Sequence, residues 1–188
     1  MNPLKKSFRI FTALAALTVL TSEAAIPSPV SQNGHQVVVT PFDRKVSMAK
    51  IFDVQENAGQ NASEDPFSFF MEAKSFRYAS DMGEDHWQTP EETDARHAGD
   101  CEDKAVWLYA QLKSHGYADT RLVVGKYRSI DRVYHVWVTY TGSNGDTFIL
   151  DPALQHHPWK VGEFSGGFYV QYYSYDGKKR YCHKVLGT

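Results

Sequence analysis

A thiol, an imidazole and a carboxylate occur in that order at Cys101, His135 and Asp151. Together they could carry out acyl transfer: a thiolate attacks, a histidine moves the proton, and a carboxylate holds the histidine in one tautomer. Cys101 follows Asp100 at the head of the clearest helical pattern in the chain, with Ala105, Leu108, Tyr109 and Leu112 on one face. A thiol in the first turn of a helix meets unpaired backbone N–H groups and the positive end of the helix dipole, and both favour thiolate. Asp100, Glu102 and Asp103 oppose this, because negative charge nearby raises a thiol pKa. Helix capping is the ordinary explanation of the three acids, and a bound cation is the sharper one.

A nucleophile needs a base within reach and a third group to orient it. His135 lies in an alternating stretch, on the same face as Val133 and Trp137, and Asp151 closes the next apolar stretch before Pro152. If these stretches pair as strands across Gly142-Ser143-Asn144-Gly145, His135 and Asp151 lie about equally far from the turn and become neighbours. Taken singly, a strand histidine is more often a satisfied core residue and an aspartate before proline a turn starter. The three residues in sequence favour catalysis.

These residues require particular elements. The helix is predicted from Cys101 to about His115, with Asp100 as N-cap and Gly116 at its end. Strands are predicted over 121–127, 133–140 and 147–151, and a second hairpin over 168–175 and 180–185 around Asp176-Gly177. Upstream, residues 66–79 read as a short helix running into an extended piece. In Trp87-Gln88-Thr89-Pro90-Glu91-Glu92, Thr89 is placed to cap a short helix beginning at Pro90, with Glu92 at the capping-box position. One helix group followed by antiparallel strands is an α+β domain.

The three blocks Gly99-Asp100-Cys101-Glu102-Asp103-Lys104-Ala105, His135-Val136-Trp137-Val138 and Ile149-Leu150-Asp151-Pro152 resemble the transglutaminase-like superfamily. Within it they are most similar to the bacterial transglutaminase-like cysteine proteinases, which also share a Trp-x-Thr-Pro-x-Glu run ahead of the cysteine. The resemblance spans about Phe76 to Ala153 and implies a papain-like α+β core in which Cys101, His135 and Asp151 are the triad. It further implies a protein or peptide substrate, and it makes Asp100, Glu102 and Asp103 candidate calcium ligands, in keeping with the preference of that hard cation for oxygen. After the last strand the chain reads Asp151-Pro152-Ala153 where those proteinases have an Asp-Asn-Leu type sequence. Water as acceptor would make the protein a peptidase or amidase, and an amine would make it a protein-crosslinking transglutaminase. The Cys101 N–H is expected as one oxyanion donor; Trp87 and Gln88 are candidates for the second, although packing explains both more simply.

Two other readings compete. The chain has two cysteines, and a Cys101–Cys182 disulfide would block the nucleophile and leave a noncatalytic exported binding domain. A transition-metal site drawn from His97, His156, His157 and His183 with the cysteines matches no zinc spacing. The aromatic run Phe168, Tyr169, Tyr172, Tyr173 and Tyr175 could line a groove, but strand packing is the commoner role.

The remaining sequence sets the compartment and the extent of the domain. Lys5, Lys6 and Arg9 precede an apolar stretch from Ile10 to Leu20 and a small-residue region at Ser22-Glu23-Ala24, the pattern of a signal peptide over 1–24 cleaved after Ala24. The apolar stretch falls short of the roughly 20 residues needed to span a bilayer, so no stable span is expected after cleavage. A periplasmic or secreted bacterial protein follows, with a possible role at the cell envelope. Residues 25–65 read as a loosely held arm, with Asn61-Ala62-Ser63 a glycosylation pattern common by chance, and 66–188 as the catalytic domain. The net charge of −2, falling to −4 after cleavage, and the scattered basic residues argue against nucleic acid as a partner.

Overall fold

The computed structural model describes residues 34–55, 65–163 and 166–183. The predicted signal peptide and the Asn61-Ala62-Ser63 pattern lie outside the described residues. Among those described, no helix is long and apolar enough to cross a membrane.

The helix that carries the cysteine, α4 (Cys101–Ser114), buries nearly its whole length. Two helices pack beside it, α2 (Pro66–Ser75) and α3 (Pro90–Arg96). Each begins as its sequence dictates. Asp65 accepts the Phe67 N–H ahead of Pro66 in α2, and in α3 Thr89 and Glu92 form the predicted capping box with Pro90 in the first turn. Between the helices, β2 (Arg77–Tyr78) and β3 (Ala98–Gly99) form a short parallel pair that leads directly into Asp100 and Cys101.

Behind α4 stands a seven-stranded antiparallel sheet. Its strands are β1 (His35–Val37), β4 (Thr120–Arg128), β5 (His135–Thr141), β6 (Thr147–Leu150), β7 (Trp159–Lys160), β8 (Phe168–Asp176) and β9 (Lys179–Cys182), in spatial order β1-β9-β8-β4-β5-β6-β7. Alternation along the central strands sorts two apolar clusters. Leu122, Val124, Val136, Val138 and Leu150 join Ala105, Leu108 and Leu112 of α4 in the main core. Val123, Trp137, Ile149 and Tyr169 form a second cluster on the other face.

Gly125 is opposite His135 in the ladder and marks a register shift between β4 and β8. A Cβ there would lie 2.1 Å from the Val170 carbonyl oxygen, so only glycine permits this approach of the two strands.

Two expectations need correction. The arm expected over 25–65 is, over residues 35–53, part of the fold: β1 pairs with β9, and α1 (Asp43–Met48) is followed by a 3-10 turn. Val46, Ala49 and Ile51 from this segment are fully buried. Second, the C-terminal hairpin pairs Asp176 with Lys179, so its two-residue turn is Gly177-Lys178, with the positive φ of 54° at Gly177. His135 and Asp151 are neighbours, as expected: Val138 pairs with Leu150 and Thr139 with Ile149, a register that carries Asp151 opposite Trp137. Asp151 therefore meets His135 on the diagonal of the same sheet face.

Candidate active site

Asp151 is wholly buried, and its carboxylate accepts four hydrogen bonds. Oδ2 takes the His135 ring at Nε2 (2.7 Å) and the Tyr169 hydroxyl (3.0 Å), and Oδ1 takes the backbone N–H groups of Ala153 (3.0 Å) and Leu154 (3.1 Å). Its own N–H donates to Gln155 Oε1. The turn after Pro152 thus holds one oxygen and the sheet holds the other, and the carboxylate has little freedom to rotate. His135 is nearly buried, stacked along Trp137 with Tyr127 edge-on beyond it. With Nε2 committed to Asp151, Nδ1 is the nitrogen left for another partner.

Cys101 opens α4, as predicted. Its sulfur lies by the backbone N–H of Val136, the residue after His135. The thiol's hydrogen bond, however, goes to Glu102 Oε2 at 3.0 Å, and none joins it to His135. Burial, then the Glu102 carboxyl, push the thiol pKa well up, and the Val136 N–H only partly offsets them. The helix-dipole expectation is therefore outweighed here: the neighbouring acids and the loss of water dominate. Both cysteines are free, so the Cys101–Cys182 disulfide is not formed; Cys182 lies on β9, paired with Tyr173 of β8 and His35 of β1.

The acids beside Cys101 divide into two groups with different work. Asp103 is buried and closes a clamp: it accepts from the Gln88 N–H (2.8 Å), the Gln88 side-chain amide (2.7 Å) and the Asp100 N–H (3.2 Å). That clamp explains Gly99, since a Cβ there would lie 2.4 Å from Asp103 Cβ. Asp103 thus acts as a structural cap, and it joins neither group of converging ligand atoms among the described residues. Gln88 spends its amide on the same clamp and Trp87 is buried in the core, so both take the packing role.

Glu102 instead groups with Asp100 and Cys101, and separately with Asp81 and Asp85, with ligand atoms within 4.8 Å of one another in each group. Burial pushes Glu102 up to about 9 and also raises Asp100, whose Oδ1 is buried with no hydrogen-bond partner. Against burial, the Lys45 ammonium of α1 holds Asp85 below the usual carboxylate range. A crowd of oxygen donors with one orphaned buried carboxylate oxygen fits a hard cation.

The histidines of the transition-metal reading are dispersed. His97 stacks on Phe76, His157 lies by Trp159, and His183 bonds Ser174. Among the aromatics of β8, Tyr169 does more than pack, because its hydroxyl fixes Asp151. No local signal marks it, since the contact depends on β8 folding back across β4. Asp81 and Asp85 were also not singled out, although their position just upstream of Trp87 in an acidic stretch is a trace of the acid cluster they join.

Neither a family model nor a curated protein sequence matches the chain. Solved structures do. The chain is similar to LapG of Legionella pneumophila, with 19% sequence identity and a TM-score of 0.55, over 73% of this chain and 77% of that one. Against the calcium-bound form of the same LapG, the identity and TM-score are unchanged and the overlap is 76% of this chain and 79% of that one; for an EGTA-treated form the overlap is 76% and 77%. The architecture expected from the cysteine, histidine and aspartate blocks is present: an α+β, transglutaminase-like fold.

Proposed function

We propose that this chain is an exported cysteine peptidase of the LapG kind, in which Cys101 is the nucleophile, His135 the proton carrier and Asp151 the residue that orients it. The observation that carries this reading is the buried His135–Asp151 pair at 2.7 Å, beside a cysteine that begins a helix packed on the histidine's own strand. An imidazole bound through Nε2 to an anchored carboxylate presents Nδ1, in the tautomer fixed by that bond, to a thiol. The thiol proton passes to His135, and the thiolate attacks the amide carbonyl carbon. His135 then gives its proton to the leaving amine as the C–N bond breaks, leaving a thioester on Cys101. Water, giving a proton to His135, attacks the thioester and releases the acid and the free thiol. The Cys101 backbone N–H, at the head of α4, is the oxyanion donor this chain offers.

Asp81, Asp85, Asp100 and Glu102 would hold calcium, as the LapG forms with and without calcium suggest by analogy. The ion would supply positive charge next to the sulfur and so favour the thiolate. In its absence Glu102 holds the thiol.

The test is alkylation of signal-free protein by iodoacetamide across pH, with the modified cysteine mapped. Rapid labelling confined to Cys101, slowed by His135→Ala, is the expected outcome. Equal slow labelling of Cys101 and Cys182 would sink the triad.

A further inference from the structure

The peptidase reading does not say which peptides are chosen, and the inference that follows rests on that reading. A cavity of about 300 Å³ opens beside the β2–β3 pair, with Arg77, Ser80, Asp81, Gln88, Arg96 and Ala98 among its walls. Two of these are guanidinium groups from different elements, Arg77 from β2 and Arg96 from the last turn of α3. Among the described residues neither has a hydrogen-bond or ion-pair partner. Elsewhere Arg128 and Arg180 are paired, with Asp131 and Asp43. Solvation alone explains a lone exposed arginine, and the carbonyl end of α3 favours a cation at Arg96. Neither reason explains why two unpaired cations from separate elements line one cavity. Its one carboxylate, Asp81, is already engaged with the His86 N–H and belongs to the acid group assigned to the cation.

The cavity is joined to the nucleophile by backbone. Arg77 pairs with Ala98 and Tyr78 with Gly99, and the next residues are Asp100 and Cys101. Gln88, in the cavity wall, is fastened to Asp103 in the first turn of α4. Asp81, also in the cavity wall, has a carboxylate oxygen within 4.8 Å of that of Glu102, which accepts the Cys101 thiol's hydrogen bond. Two guanidinium groups lining one cavity match a carboxylate, which accepts paired N–H donors from guanidinium.

We propose that Arg77 and Arg96 form a specificity subsite that takes an acidic side chain of the peptide substrate, close to the scissile amide. The test uses the full signal-free chain carrying Cys101→Ser, with arginine Nε–Hε resonances followed by NMR. The probes are acetyl-Ala-Glu-Ala-Ala-amide and the same peptide with glutamine for glutamate. Saturable shifts at Arg77 and Arg96, with the glutamate peptide bound about fivefold more tightly or better, are expected from an ion pair of this exposure. The preference should vanish in Arg77→Gln/Arg96→Gln, whose melting temperature should fall only slightly, from the charge lost at the end of α3. No saturable shift at these two arginines, or equal binding of both peptides, overturns the proposal. Wild-type protein cleaving a peptide library without acidic preference also overturns it while leaving the peptidase intact. Glutamate-selective shifts in a protein whose Cys101 proves inert would leave the carboxylate subsite standing and remove the peptidase reading.

Discussion

Asp151 has the most constrained side chain of the site, and the four bonds it accepts have separable consequences. Replacing it with asparagine keeps the shape but presents an amide to His135, which selects the wrong tautomer and should lower kcat/KM about a thousandfold or more. Tyr169→Phe removes only one bond to Oδ2. That bond to a charged acceptor contributes on the order of 1.5 kcal/mol, so kcat should fall about tenfold with KM little changed. A loss in Tyr169→Phe confined to KM would show that the tyrosine touches substrate and does not position Asp151. A third change acts on the nucleophile. Glu102 is charged only as pH rises past about 9, where its carboxylate opposes the thiolate, and Glu102→Gln removes that charge. Iodoacetamide labelling of Cys101 should then be faster than in wild type above about pH 9 and alike below it; an unchanged profile above about pH 9 would mean that Glu102 does not govern the thiol. The pairing of His135 with Asp151 could be read from residue type and spacing. Tyr169 could not, because its value lies in a contact made only after β8 has joined the sheet.

At the scale of elements, the helix that presents Cys101 is held by a reciprocal clamp. Asp103 accepts from Gln88 twice and from Asp100 once, and Gly99 leaves room for its side chain. Asp103→Ala would strand the Gln88 and Asp100 N–H donors where water is scarce. A loss of about 3 kcal/mol in unfolding free energy is expected by denaturant titration, with Asp103→Asn nearer 1 kcal/mol because it keeps an acceptor. A cost below about 0.5 kcal/mol for the alanine change would mean that water replaces the clamp. The start of α4, the capping box of α3 and the long strands were legible, because caps and alternation act over a few neighbouring residues. The spacing placed His135 and Asp151 as neighbours but did not give the exact β5–β6 register. Turn length alone does not set where pairing begins, and the burial of Ile149 and Leu150 against the two clusters does. Nor could β1 and α1 be read: three strand residues and one helical turn carry no periodicity, and they exist because β9 offers an edge and the core accepts Val46, Ala49 and Ile51.

Over the whole molecule, the acidic balance seen in composition becomes a local excess at one end of the sheet, where Asp81, Asp85, Asp100 and Glu102 converge. Burial sets Glu102 at about 9 and Asp103 at about 6, against ordinary values of 4.5 and 3.8. Between those limits the folded protein keeps protons that the unfolded chain releases. The associated stability is fully present below the ordinary values and is lost as pH rises, through about 6 for Asp103 and through about 9 for Glu102. Without divalent cation, the melting temperature should therefore fall between pH 5 and pH 9. Calcium held as proposed would reverse this, because it would bind the ionised carboxylates of the folded state and compete with their protons. The stabilisation by calcium should be small at pH 5 and larger at pH 8, and chelation should remove it. Glu102→Gln should both flatten the decline above pH 7 and weaken the calcium effect, since one residue is responsible for each. Differential scanning calorimetry at pH 5, 7 and 9, with calcium and with EGTA, decides the matter. Stability that rises from pH 7 to pH 9 in EGTA, or that ignores calcium at pH 8, would mean that these acids are solvated side chains with no cation to hold.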